Sequence, residues 1–214
     1  MDSDDFLANN NVISDFISIF EQHNCDIIYG AYKGFVDDDY KSCTYKIYPK
    51  VLKIDNIQTK DLSIEEVVQL LFDNSNYYSS PTSKIYKRDY LESNGFRFKA
   101  NIYLEDEEWT PRILLNCKKI YFYNKKFYMR RIREESIMTT VNDEKRLKKI
   151  ISMIEIATDM TKYTEANCKS TELRNTFREY YKEFRMNYMR LYREINDLTI
   201  KSKAKVIIEN VENM

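Results

Sequence analysis

Val12, Ile13, Phe16, Ile17 and Phe20 recur at helical spacing and give way to the polar stretch Glu21 to Asn24, which predicts a short amphipathic helix. The run Cys25-Asp26-Ile27-Ile28-Tyr29-Gly30-Ala31-Tyr32 then reads as a strand. Asp37-Asp38-Asp39 reads as a solvated turn. Tyr45, Ile47, Val51 and Ile54 suggest extended structure, but Pro49 removes a ladder donor, so an edge or excursion is expected rather than a central strand.

Ser63 with Glu66 three residues on is a capping box, and Val67, Val68, Leu70, Leu71 and Phe72 place a second helix behind it. After the break at Ser79-Ser80-Pro81, the spacing of Ile85, Tyr86, Tyr90 and Leu91 predicts a helix stopped by Asn94-Gly95. Phe96-Arg97-Phe98 reads as extended. Glu105 to Glu108 open a further helix carrying Trp109, Ile113, Leu114 and Cys117, since negative charge complements the amino-terminal end of the helix dipole. Pro111 is tolerated best in a first turn, which argues for a regular start near Thr110 rather than at Asp106. Two short strands follow, Lys119 to Tyr123 and Phe127 to Arg131. From Asn142 the pattern is helical only, with one stripe through Leu147, Ile150, Ile151, Ile154 and Ala157. A second stripe runs through Leu173, Phe177, Tyr180, Phe184, Leu191, Ile195 and Leu198. Its spacing suits packing back on the body or pairing with another copy of the chain, packing back being favoured.

Composition narrows this mixed α/β picture. Lys+Arg 34 against Asp+Glu 34 leave no net charge, so no global field draws the chain to nucleic acid. Cys25, Cys43, Cys117 and Cys168 are scattered without metal or disulfide spacing, which favours a reducing compartment. No apolar run reaches the length of a membrane span, and the first residues are acidic where a signal peptide would be basic. A cytoplasmic protein is the expectation. His23 sits in a polar stretch and is assigned no role.

The chemistry begins with Met1-Asp2-Ser3-Asp4-Asp5. Carboxylates spaced by one residue can point the same way from an extended segment or tight turn, and such hard oxygen donors suit Mg²⁺ or Mn²⁺. Further on come Pro81 to Leu91, Phe96-Arg97-Phe98, Leu104-Glu105-Asp106-Glu107-Glu108-Trp109, and Phe127-Tyr128-Met129-Arg130-Arg131-Ile132-Arg133-Glu134-Glu135-Ser136-Ile137-Met138. In this order the segments resemble the second half of a family 2 glycosyltransferase, the GT-A enzymes that build bacterial capsule, lipopolysaccharide and other surface glycans. The resemblance runs from Asp2 to about Thr140.

It implies a partial GT-A (Rossmann-like) catalytic domain over residues 1–140 and an α-helical extension over 141–214. Asp2 and Asp4 match the family's DxD acids, which hold Mn²⁺ or Mg²⁺ against the diphosphate of a nucleotide sugar, a UDP-sugar being expected. Asp106 in Glu105-Asp106 matches the general base that deprotonates an acceptor hydroxyl, on a glycan or a lipid-linked acceptor, during a single inverting displacement. Lys84 and Tyr86 match a segment lining the site, Glu105 neighbours the base, and Arg131, Arg133 and Ser136 match a basic stretch near diphosphate and acceptor. The resemblance also admits peripheral association with the inner face of the plasma membrane and self-association through the carboxy-terminal helices.

The sequence departs from the family in one main respect. The family's nucleotide-binding half has no counterpart ahead of Asp2, so the expectation is part of a larger site. Pro111 and Arg130 are lesser departures. Two other classes compete with transfer: an inactive remnant or interaction module using the 142–214 helices, and a metal-dependent phosphotransferase using Asp2 and Asp4. The last is disfavoured, because Asp5-Phe6 supplies no hydroxyl after an aspartyl nucleophile.

Overall fold

The computed structural model describes residues 3–36, 51–132 and 142–212, and they form two compact units. Asp37-Asp38-Asp39, Tyr45, Ile47, Pro49, Asp2, Arg133 and Ser136 lie outside the described residues.

The first unit comprises Met1–Arg97 and Thr110–Ser136. Its described strands are β1 (Phe6–Leu7), β2 (Ile27–Val36), β3 (Lys84–Tyr86) and β4 (Ile120–Ile132), in the order β1-β4-β2-β3. The central β2–β4 pair is parallel and both flanking pairs are antiparallel. Helices α1 (Val12–His23), α2 (Ile64–Asp73) and α3 (Arg88–Ser93) belong to this unit, and α4 (Glu105–Asn116) enters it from Thr110 onward.

Alternation along the strands sorts the side chains between two faces. Ile28 joins Tyr123, Phe127 and Tyr128 under Val12, Phe16 and Ile19 of α1. The Phe16 ring meets Phe127 edge-on at 5.0 Å between centroids and 86°. Tyr29 and Phe122 point the other way and lie 5.9 Å apart.

The expectation of two strands over 119–131 gives way to one. Ten residues of β2 face thirteen of β4, the excess being absorbed at register shifts around Gly30, Ala31 and Tyr32. In a regular strand the neighbours Phe127 and Tyr128 would point to opposite faces, yet both are in the α1 cluster. The bulge turns the second residue back to the same face. At this crossing Gly30 is required, because a Cβ there would fall 2.6 Å from Phe127 Cδ1.

Ile85 and Tyr86 depart from the helical expectation. They pair with Ile28 and Ile27 of β2, and α3 begins only at Arg88. Spacing alone could not separate a strand followed by a helix from one longer helix. The capping box on α2 forms as read, and Gly95 takes a left-handed φ of 63° after α3. Leu52 and Ile54 are buried, but 51–55 is irregular rather than a strand, and 96–98 is likewise unpaired with any strand. There Asn56 acts as a one-residue stand-in for a strand. Its Nδ2 donates to Phe122 O (2.9 Å) and its Oδ1 accepts from Phe122 N (2.8 Å), filling the β4 backbone groups.

The second unit comprises Phe98–Trp109 and Ile137–Met214. It holds the first turn of α4 and the helices α5 (Asp143–Asn167), α6 (Thr171–Arg193) and α7 (Leu198–Glu212). Ile150, Ile154, Tyr188, Leu191, Ile195, Ala204 and Ile208 form one core cluster. The second stripe is therefore broken between α6 and α7, and Leu198 is exposed at the start of α7. Asp143 accepts from the backbone N–H groups of Asn196 and Asp197, both at 2.9 Å, tying that break to the start of α5. Lys99 bridges Glu155 (2.6 Å) and Asp159 (2.7 Å) of α5, which fastens the segment ahead of α4.

Candidate active site

In the first unit, β1 is too short to be read from a pattern, but it sets the position of the opening acids. Phe6 and Leu7 pair with Met129 and Tyr128, so the residues before them run alongside Arg130 and Arg131. Asp5 fixes this arrangement: its Oδ2 accepts from the Tyr128 hydroxyl (2.6 Å) and its Oδ1 from the Arg131 N–H (2.8 Å). Asp4 is half-buried in the preceding turn, and the Arg131 side chain is exposed. The structure thus brings Asp4 and Arg131 to one place, at the carboxyl ends of the parallel β2–β4 pair. Open α/β sheets bind ligands at that end of their strands.

Lys84 and Tyr86 sit on β3, further down the sheet. Tyr86 is opposite Ile27, at the amino end of β2, and its hydroxyl lies 3.4 Å from Pro81 O. Lys84 is only 3% exposed. Its ammonium donates to Tyr78 O (2.6 Å) and Ser80 O (2.9 Å) and stands 4.6 Å over the Tyr29 ring. Tyr29 adds to the same loop, donating to Asn76 O (2.8 Å) and accepting from Tyr78 N (2.9 Å), while Thr110 Oγ1 donates to Ser79 O. Burial, the largest effect, pushes the Tyr29 phenol well above its ordinary range. These groups hold the 76–84 loop by its backbone.

A polar cleft of ≈ 360 Å³ lined by Asp26, Lys87, Asp89, Asn94, Asn116 and Lys118 opens at the amino ends of β2 and β4. It contains none of the candidate site residues named from the sequence.

Glu105 and Asp106 belong to the second unit. The regular helix starts at Glu105, not near Thr110, with Pro111 inside it. Proline has no N–H for the carbonyl four residues earlier, here Glu107 O. Tyr181 of α6 supplies the missing donor, its hydroxyl lying 2.9 Å from Glu107 O. Beside it the Tyr180 hydroxyl donates to Glu107 Oε2 (2.6 Å). Burial first, then the Glu107 carboxylate, drive the Tyr180 phenol far above its ordinary range, so it remains a donor at any working pH.

Asp106 is half-buried between these clamped groups and the exposed Glu105, and its Oδ1 accepts from Glu107 N (3.1 Å). Leu104, just ahead, has φ 62°, and Asn101 has φ 64°. A left-handed leucine costs about 1–2 kcal/mol, which the surrounding contacts must offset. Tyr180, Tyr181 and Glu107 were missed in the sequence reading. The one signal was the offset of four between Glu107 and Pro111, which marks an orphaned carbonyl without naming its donor.

Among the described residues no group of three or more His, Cys, Asp or Glu side chains could hold a metal ion. That is compatible with Mg²⁺ chemistry, which uses one or two carboxylates, waters and the substrate's own phosphates rather than an all-protein cage. Asp4 is a donor of the right kind. No helix among the described residues is long and apolar enough to cross a membrane.

The sequence matches no family model and no curated protein. Solved structures do match. S. aureus TarS 1-349 in complex with UDP-GlcNAc aligns with a TM-score of 0.56 at 19% identity, over 87% of this chain and 48% of that one. TarS 1-349 in a second crystal structure aligns with a TM-score of 0.53 at 17% identity, over 89% and 47%. What is shared is the fold. It is a mixed α/β sheet with a helical extension, and this chain spans about half the length of TarS 1-349, covering 48% of it.

Proposed function

We propose that this chain carries the metal and acceptor side of an inverting, family 2-like glycosyltransferase that uses a nucleotide sugar of the UDP-GlcNAc kind in surface polysaccharide synthesis. The observation that carries the reading is the fold match over 87% of the chain to TarS 1-349, a protein crystallised with UDP-GlcNAc. The ordered motifs support it independently, as does the pairing that sets Asp4 beside Arg131 at the carboxyl ends of the parallel strands.

Asp2 and Asp4 would hold Mn²⁺ or Mg²⁺, which when bound neutralises charge building on the departing diphosphate. Arg131, with Arg133 and Ser136, supplies further positive charge and donors to that diphosphate. Asp106 takes the proton of the acceptor hydroxyl as its oxygen bonds to the anomeric carbon. The bond from that carbon to the diphosphate oxygen breaks on the opposite side, and its electron pair leaves with the nucleoside diphosphate. Glu105 contacts the acceptor beside the base, whereas Lys84 and Tyr86, toward the amino end of β2, act through the loop whose carbonyls they meet.

The test is calorimetric titration of the chain, joined to the nucleotide-binding half of a family 2 enzyme, with UDP-GlcNAc and Mn²⁺, together with release of UDP to water as acceptor. Binding, and at least a hundredfold slower release in Asp106→Asn, is expected, a general base being worth about 10²–10⁴-fold. No binding, or full activity in Asp106→Asn, overturns the proposal.

A further inference from the structure

We infer that the helical extension is part of the catalytic apparatus, because Tyr180 and Tyr181 of α6 position the α4 turn that carries Asp106. This rests on the assignment of Asp106 as the base, and it extends that assignment to residues outside the matched motifs. Three observations carry it. The candidate base falls in the same compact unit as α5, α6 and α7, not in the unit of the sheet. Pro111 removes the helix's own donor to Glu107 O, and the Tyr181 hydroxyl occupies that acceptor at 2.9 Å. The Tyr180 hydroxyl grips the side chain of the same Glu107 at 2.6 Å, so one residue beside Asp106 is held through both its backbone and its carboxylate.

A turn entered through a left-handed Leu104 and lacking one helical hydrogen bond does not define its own geometry. Two phenols from α6 define it. Neither touches substrate in this scheme, so both are positioning residues, and their loss should reduce turnover without weakening the donor.

The experiment combines hydrogen exchange over 105–109 in the full chain with UDP release from UDP-GlcNAc, water standing in as acceptor, in the chain joined to the nucleotide-binding half of a family 2 enzyme. Tyr181→Phe should speed exchange over 105–109 and lower kcat about 10- to 100-fold, the range for a slightly misplaced group, with donor KM within about twofold. Tyr180→Phe should act in the same direction. Pro111→Ala restores a backbone N–H for Glu107 O, so Tyr181→Phe combined with Pro111→Ala should recover both slow exchange and turnover. Unchanged exchange in Tyr181→Phe, a rise in donor KM in place of a fall in kcat, or no recovery in the double variant overturns the inference. If the chain releases no UDP, or Asp106→Asn releases it normally, the proposed function fails, while exchange and its recovery still decide whether the clamp exists.

Discussion

Gly30→Ala isolates the closest packing in the sheet. The added methyl would lie 2.6 Å from Phe127 Cδ1 and closer still to Cε1. Phe127 is fully buried and wedged edge-on against Phe16 at 5.0 Å, so the ring cannot swing aside without displacing α1. Overpacking of this kind costs about 1–3 kcal/mol, whereas replacing glycine inside a strand returns about 0.5–1 kcal/mol. The clash wins, leaving a net loss of about 1–2 kcal/mol, or a Tm lowered by about 2–8 °C in a chain of this size. Because the obstacle is a side chain, Phe127→Leu should relieve it. Urea denaturation of the four members of the cycle should give a coupling energy of about 1–2 kcal/mol, with alanine at position 30 nearly neutral beside leucine. Equal costs in both backgrounds, to within about 0.5 kcal/mol, would show that the glycine is required by backbone conformation and not by the ring.

Two further substitutions probe each unit separately. Asn56→Asp keeps an acceptor for Phe122 N but turns an oxygen toward Phe122 O, so chemical denaturation should show a loss of about 1–3 kcal/mol, and wild-type stability would refute the strand-substitute role. The Asp143 carboxyl is held below its ordinary 3.8, first by the Asp197 N–H, then by the Asn196 N–H and Arg146. A depressed folded pKa stabilises above the unfolded value and is lost as pH falls through the folded one. The Tm gap between wild type and Asp143→Asn should therefore be constant above about pH 5 and shrink as pH falls below about 4; a gap that does not shrink at all on acidification would contradict this.

Local signals made much of the fold legible. The Ser63–Glu66 capping box, the left-handed Gly95 and the helices α1 and α5 each depend on residues a few positions apart and form as read, although Ile13 and Ile17 of the first stripe and Ile151 of the other are exposed while Ile19 and Ile156 are buried instead. What was illegible depends on partners far along the chain. Ile85 and Tyr86 are strand residues only because β2 lies beside them, and β4 is one strand only because bulges absorb its surplus against β2. At the candidate site, the proposed metal acids, base and arginines rest on residue type and order alone. Asp5 could not be found that way, because its role is set by Tyr128 and Arg131, more than a hundred positions away.

Pro111 also bears on the order in which the molecule assembles. An ordinary helix satisfies the carbonyl of its first turn from its own next turn, within nanoseconds of nucleation. Here the donor to Glu107 O arrives from 74 residues downstream. Closing a loop of that length costs about 4 kcal/mol in chain entropy before any contact offsets it. The first turn of α4 therefore matures late, after α6 has formed and docked, and the Asp106 side chain acquires its geometry only in a chain whose helical unit is already complete.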